Sequence, residues 1–340
     1  MKALFIGGTG TISAAISRLL LEQGWELYLL NRGNRNSVVC PDGKPGKLTE
    51  INCDIRTDSA ETILQKTGAA AGGKKFDVIT DFIAFTPEHV QKDYSVFREL
   101  CAQYIFISSA STYQKPPVSY LITESTPLAN PFWEYSRNKI ACEEFLISKY
   151  RENGFPVTII RPSHTYDERS VPLGVHGSNG SWQVVKRMLD GKPVIIHGDG
   201  TSLWTMTHNS DFALAFAGLM GNIHATGEAV QITSDESLNW NQIYKTIADI
   251  LNVPLKAVHV SSEFLAKSGP CDFTGSLIGD KANSVVFDNT KLKRLVPGFC
   301  ARVRFDQGVR STIEHVLSHS ECQRSDPDFD QWCDKIITII

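Results

Sequence analysis

A chain of 340 residues with 34 basic and 37 acidic side chains carries a formal charge of −3, without the basic excess that a nucleic-acid partner demands. Its hydrophobic fraction, 42%, can supply one large core or two smaller ones, and the apolar run from Ala213 to Met220 is too short to span a bilayer. The eight cysteines form no Cys-x-x-Cys pair and no zinc-spaced His/Cys cluster, so reduced thiols in a cytoplasmic protein without a metal site are expected. Along the chain, the first half alternates strand and helix, the rhythm of a parallel sheet. Ala3–Ile6, too short for a signal-peptide core, is the first strand; a helix follows from Ile12 to Gln23, ended by Gly24. Glu26–Leu30 is the second strand, and a loop rich in Gly, Arg, Asn and Pro runs from Arg32 to Gly46 before a third strand near Leu48–Cys53. Phe76–Thr80, a helix from Pro87 to Leu100, and Tyr104–Ile107 come next. Asn130 as N-cap, Pro131 at the first helical position and Gly154 beyond the end predict one long helix, followed by the strand Val157–Ile160.

After Arg161-Pro162 the rhythm breaks. Residues 163–200 are rich in Gly, Ser, His and Pro, with a helix near Trp182–Leu189 and a strand at Val194–Ile196. Asn209 is expected to cap a helix from Asp211 to Met220, and Ala229–Ile232 reads as a strand. A helix at Trp240–Leu251, a strand at Val285–Phe287 and helices near Lys291–Leu295 and Gln307–Ser318 complete the reading, with Trp332 and Ile336 of the tail docking back. The pattern predicts a Rossmann-type, doubly wound α/β domain over 1–165, to which 205–235 returns. A smaller mixed α/β substrate domain is expected from 166–204 and 236–340.

Two stretches carry chemistry. Gly7-Gly8-Thr9-Gly10-Thr11-Ile12-Ser13 joins the first strand to the first helix, where glycines permit close approach to a pyrophosphate and the helix N-terminus offers free N–H groups. Gly7, Thr9, Gly10, Thr11 and Ile12 are therefore candidate dinucleotide contacts, with Ser13 where a third glycine is usual. The second strand ends in Asn31-Arg32, with Arg35 close behind and no carboxylate to bond a ribose 2′-hydroxyl. Arg32 and Arg35 fit the 2′-phosphate of NADP; the alternative is NAD, with Asn31 on the ribose and both arginines in solvent. In the second stretch, Tyr135 and Lys139 lie one helical turn apart. A phenol titrates near about 10, and an ammonium with an oxidised nicotinamide beside it favours the phenolate. That brings the pair into range for proton transfer.

With these, the order of Cys53-Asp54-Ile55, Ile107-Ser108-Ser109-Ala110-Ser111-Thr112-Tyr113, Asn130-Pro131, Arg161-Pro162, Gly198-Asp199-Gly200-Thr201 and the closing 288–295 and 307–310 segments resembles the extended short-chain dehydrogenase/reductase superfamily. The likeness covers nearly the whole chain and is to the NAD-dependent epimerase/dehydratase branch typified by UDP-galactose 4-epimerase. It implies Tyr135 as general acid/base, Lys139 on the nicotinamide ribose and Ser109 bonding the substrate hydroxyl, with Ser111 the alternative serine. It also implies Asp54 on the adenine amino group (or else as a helix cap), Ile55 on the ring, and Ala84, Pro162 and Ser163 along the dinucleotide. A homodimer through the helices Pro87–Leu100 and Pro131–Asn153 is implied too, with Phe97, Leu100, Phe145 and Leu146 either in that interface or against the sheet.

Three departures narrow the activity. Ala110 and Ser111 stand where 4,6-dehydratases carry Asp-Glu, so dehydration lacks its acid and base. Trp204 stands where nucleotide-sugar enzymes place a diphosphate-binding arginine, and Leu277 and Ile278 stand where a second arginine would precede Gly279-Asp280. The substrate wall is instead aromatic and histidine-bearing: His164, Tyr166, His176 and Trp204, with His208 in a structural place. The expectation is an NAD(P)-dependent sugar epimerase or oxidoreductase working on a secondary alcohol or ketone, with epimerisation favoured. A ketoreductase or dehydrogenase of a non-nucleotide substrate is one alternative, and a non-catalytic nucleotide-sensing or RNA-associated scaffold the other.

Overall fold

A computed structural model describes residues 1–33 and 45–340. Strands β1 (Lys2–Ile6), β2 (Glu26–Asn31), β3 (Lys47–Asn52), β4 (Phe76–Asp81), β5 (Cys101–Ile107), β6 (Val157–Pro162) and β7 (Ala229–Ile232) form one parallel sheet in the order β7-β6-β5-β4-β1-β2-β3. Alternation along β1 explains why both faces are covered: Ala3 and Phe5 point to one side, Leu4 and Ile6 to the other. On the first side, Ala3 and Phe5 share a core with helix α1 (Thr11–Glu22) through Ile16 and Leu20, and with a later helix, Asn209–Leu219, through Phe212 and Phe216. On the second, α2 (Ala60–Ala70), α3 (Pro87–Phe97) and α4 (Glu134–Asn153) bury Ile63, Val90, Phe97, Cys142 and Leu146. Phe97 and Leu146 are thus spent on the sheet.

A third core gathers side chains from Ala110 to Ile336, including Trp204, Trp240, Tyr244 and Phe305. Short strand pairs knit it: Met206–His208 lies parallel to His164–Tyr166, and Leu203–Trp204 antiparallel to Leu238–Asn239. The tail does dock, as helix Pro327–Ile339, with Ile336 buried and Trp332 Nε1 donating to Ser268 O at 2.7 Å. Among the described residues no helix is long and apolar enough to cross a membrane.

Two expected caps are different groups. Helix α4 begins at Glu134 after Trp133; Asn130 stands outside it, its Oδ1 accepting from Phe132 N at 3.2 Å and its Nδ2 donating to Ser111 O at 2.8 Å and Gly279 O at 2.7 Å. The Asn209 helix is capped by His208, whose Nδ1 accepts from Ser210 N at 3.3 Å, while Asn209 itself is buried with its amide toward Thr11 O.

Candidate active site

The strand order reverses at β1 and β4, and a cavity of about 510 Å³ opens there, at the carboxyl ends of the strands. Gly7, Thr9, Gly10, Thr11, Ile12, Asn31, Arg32, Asp54 and Ile55 all line it. Arg35 lies outside the described residues. Gly7 has φ +83°, and a Cβ there would meet Ile83 Cγ2 at 2.6 Å, so any other residue is strained at this turn. Ser13 does more than replace a glycine by a small residue: its Oγ donates to Gly7 O at 2.9 Å and accepts from Gly10 N at 2.8 Å, holding the loop in shape. The first-turn N–H groups of Thr11 and Ile12 have no intrahelical partner and stand at the cavity wall. This cradle fits a pyrophosphate. Asp54 Oδ1 accepts from Arg56 N at 2.8 Å, fixing a turn beside the cavity rather than capping a helix; Ser59 caps α2.

Arg56, Phe82, Phe85 and His89 also line this cavity, and the sequence reading missed them. Arg169 was missed as well; it reaches across from the far core to Thr9 O at 3.5 Å and Thr11 Oγ1 at 3.3 Å.

A second cavity, of about 250 Å³, is lined by Ser109, Ser111, Tyr135, Pro162, Ser163, His164 and Trp204. Pro162 and Ser163, expected along the dinucleotide, lie on this side. The two cavities approach each other at the Phe85 and Tyr135 rings, whose centroids are 6.4 Å apart. Lys139 sits behind Tyr135, its Nζ 5.6 Å from that ring's centroid and only 2% of the residue exposed. The ammonium donates to Ala84 O at 2.6 Å and Ile107 O at 2.7 Å, which leaves one of its three protons for another acceptor. Ala84 therefore meets the site through its carbonyl.

Burial pushes the Tyr135 phenol up to about 12, against a smaller lowering by the Ser109 side chain. Burial pushes Lys139 down to about 8. Lys139 is not among the groups that shift the phenol, its ammonium being turned onto two carbonyls, and desolvation prevails. Ser109 and Ser111 act together: their hydroxyls lie 2.9 Å apart, and Ser136 Oγ donates to Ser111 Oγ at 2.7 Å.

Trp204 Nε1 donates to His164 Nδ1 at 3.3 Å, and burial together with the Lys281 charge pushes His164 down to about 3, so this imidazole is neutral. Tyr166 and His176 are not brought to the cavity. Both line a pocket of about 170 Å³ beyond His164; Tyr166 is buried with its ring against His208 and Phe305, and His176 Nδ1 lies 2.9 Å from Gly177 O. In their place, Trp133, Lys115, Asp280 and Lys281 join the wall. The sequence offered only the search for an arginine before Gly279-Asp280; Asp280 itself and the residue after it, Lys281, are the ones that line the cavity. Among the described residues no group of three or more His, Cys, Asp or Glu is poised to hold a metal.

The sheet order and the cleft at its carboxyl edge define a Rossmann-type α/β protein. The chain belongs to the NAD dependent epimerase/dehydratase family, whose model matches residues 3–233. It is 25% identical over 305 residues to 2'-dehydrokanamycin reductase of Streptomyces kanamyceticus, covering 89% of this chain and 81% of the reductase. It is 27% identical over 256 residues to the chloroplast stem-loop binding protein of 41 kDa b of Arabidopsis thaliana, covering 73% of this chain but only 62% of that protein. In fold it matches a UDP-glucuronic acid 4-epimerase from Bacillus cereus, solved with UDP-glucuronic acid and NAD, at a TM-score of 0.70 and 17% identity over 94% of this chain and 99% of that one.

Proposed function

We propose that this chain is an NAD(P)-dependent oxidoreductase acting on a secondary alcohol or ketone of a single sugar ring, with Tyr135 as its proton donor and acceptor. One observation carries the reading: Tyr135, backed by a carbonyl-anchored Lys139, lines a small cavity together with Ser109 and Ser111, and that cavity adjoins a phosphate cradle. Gly7–Ile12, Asn31, Arg32, Asp54 and Ile55 would hold the dinucleotide, with Pro162 and Ser163 toward its nicotinamide end. When bound, the dinucleotide supplies or accepts the hydride. Ser109 Oγ orients the substrate oxygen, and Tyr135 Oη gives it a proton in reduction or takes one in oxidation. Lys139 holds the remaining positive charge beside that oxygen.

A cavity of about 250 Å³ lies below the range usual for larger ligands and, with Trp204 in place of an arginine, supports a sugar without a nucleotide. The resemblance to 2'-dehydrokanamycin reductase favours net reduction; family membership favours epimerisation. Stoichiometric consumption of reduced cofactor distinguishes reduction from epimerisation, in which the cofactor is unchanged after turnover. Arg32 in the larger cavity supports NADP, so KM should be lower for NADP than for NAD, and the reverse order overturns that preference. The same reading includes a homodimer through α3 and α4, without Phe97 and Leu146, which face the sheet, and a division into the two lobes expected from sequence.

Tyr135→Phe tests the core of the proposal. Turnover should fall by about 10²–10⁴-fold while dinucleotide affinity stays unchanged; full activity in this variant sinks it. The stem-loop binding relative favours a second reading, a non-catalytic RNA-associated scaffold, in which Tyr135→Phe changes nothing. The net charge of −3 speaks against that alternative.

A further inference from the structure

Three charged side chains line the smaller cavity: Lys115, Asp280 and Lys281. Two of them cancel, since Lys115 Nζ lies 3.7 Å from Asp280 Oδ1 with both side chains largely buried. Lys281 is different. Among the described residues no carboxylate lies within salt-bridge distance of it; its Nζ has one long contact, 3.5 Å to Ser276 O, and the residue stands between this cavity and another of about 240 Å³ that it lines with Ser276 and His176. Asp280 favours its charge from beyond salt-bridge distance but is already paired with Lys115, so the partly buried ammonium is incompletely compensated, and an anion arriving in the cavity supplies the missing charge.

The position of Lys281 is set firmly. Its carbonyl accepts from Ser202 Oγ at 3.1 Å, from Trp240 Nε1 at 3.2 Å, and lies 3.2 Å from His197 Nε2. It ends a π-helical turn, Thr274–Lys281, and such turns occur often at functional sites. The neighbouring His164 is neutral and accepts from Trp204, so it adds a ring N–H donor without adding charge.

We propose that this cavity selects a sugar bearing a compact anion, a carboxylate or a phosphate, and that the Lys281 ammonium binds it. The inference rests on the reading that this cavity holds the substrate. It replaces the missing diphosphate arginines by one ammonium suited to a small anionic substituent, and it disfavours amino sugars, whose cations meet an excess of positive charge.

The full-length chain would be titrated, with and without NADP, against D-glucuronate, D-glucose 6-phosphate, methyl glucoside and D-glucosamine. Calorimetry or the fluorescence of the cavity tryptophans gives the affinities. At least one anionic sugar should bind about tenfold or more tightly than the neutral and cationic ones, the gain a charge-assisted hydrogen bond gives. The tighter of the two anions names the source of the charge. Lys281→Met should erase the preference and Lys281→Arg retain part of it, with dinucleotide affinity unchanged in both. A wild-type chain that binds methyl glucoside as tightly as either anion overturns the proposal, as does Lys281→Met keeping the preference. If Lys281→Met does not fold, the wild-type ranking and Lys281→Arg decide. A chain that binds no dinucleotide defeats the oxidoreductase reading alone, because the titrations without NADP still measure the anion preference.

Discussion

At Tyr135 burial and chemistry oppose each other, and the opposition sets a pH dependence. The phenol, pushed up to about 12, stays protonated through the physiological range and is ready to donate in reduction. Lys139, pushed down to about 8, is the group that changes charge in that range. Its ammonium is present below about 8 and lost above, so the reduction rate should be flat on the acid side and fall as pH rises through about 8. Lys139→Arg, with a guanidinium that keeps its proton, should move the falling limb to higher pH. An unmoved limb would show that another group titrates. Unfolding does not mimic this effect: with the folded value below the ordinary 10.5, the unfolded chain binds more protons between about 8 and 10.5, so this group's contribution to stability rises with pH there. Activity falling while the urea midpoint holds or rises is the expected signature.

Helix α4 and the segments around it separate what the sequence makes legible from what it hides. Tyr135 and Lys139 were readable because one turn of helix is a local rule, and Gly154 was readable as the terminator, at φ +67°. The glycine loop and the strands of the sheet were readable for the same reason. Asn130-Pro131 carries a local signal for a helix start, yet the Asn130 amide bonds two carbonyls, one from Ser111 and one from Gly279, 149 residues away. No local rule contains that. Helix α2 escaped notice because its buried side is only Ile63 and Thr67, too thin a stripe to register. Lys281 escaped because its place depends on three bonds from distant elements. Asn130→Ala tests the joint that Asn130 makes between α4, the serine run and the π-helical turn. It leaves two buried carbonyls unpaired and should cost about 1–3 kcal/mol in urea unfolding, with a raised KM for the sugar. A variant indistinguishable from the parent in both would mean that the joint is incidental.

The sheet core and the far core are tied together behind the candidate active site by buried polar groups. Glu143, two turns beyond Tyr135 on α4, accepts from Arg161 Nε at 3.0 Å and Nη2 at 2.5 Å, and it also takes the Ser108 hydroxyl. Arg161, at the end of β6, lies 5.0 Å from the Tyr113 ring centroid, and Tyr113 Oη donates to Gln231 Oε1 on β7 at 2.9 Å. The Gln231 amide continues to Ile122 O and Asp288 O, at 3.1 and 2.8 Å. This seam holds the helix of Tyr135 and Lys139 at a fixed depth against the strands whose loops form both cavities. A buried pair is strong evidence of mutual dependence but weak evidence of net stability, because desolvation offsets attraction. The two parts can be separated. Glu143→Met alone strands the Arg161 charge and should cost about 3–5 kcal/mol of unfolding free energy. Glu143→Met with Arg161→Met removes both charges together and should recover most of that loss. Turnover should not recover with stability, since Ser108 has lost its acceptor and the Tyr113–Gln231 contact its cation. A double variant as unstable as the single one would mean that the pair contributes net stability; one that is stable and fully active would mean that the seam does not position the helix of Tyr135 and Lys139.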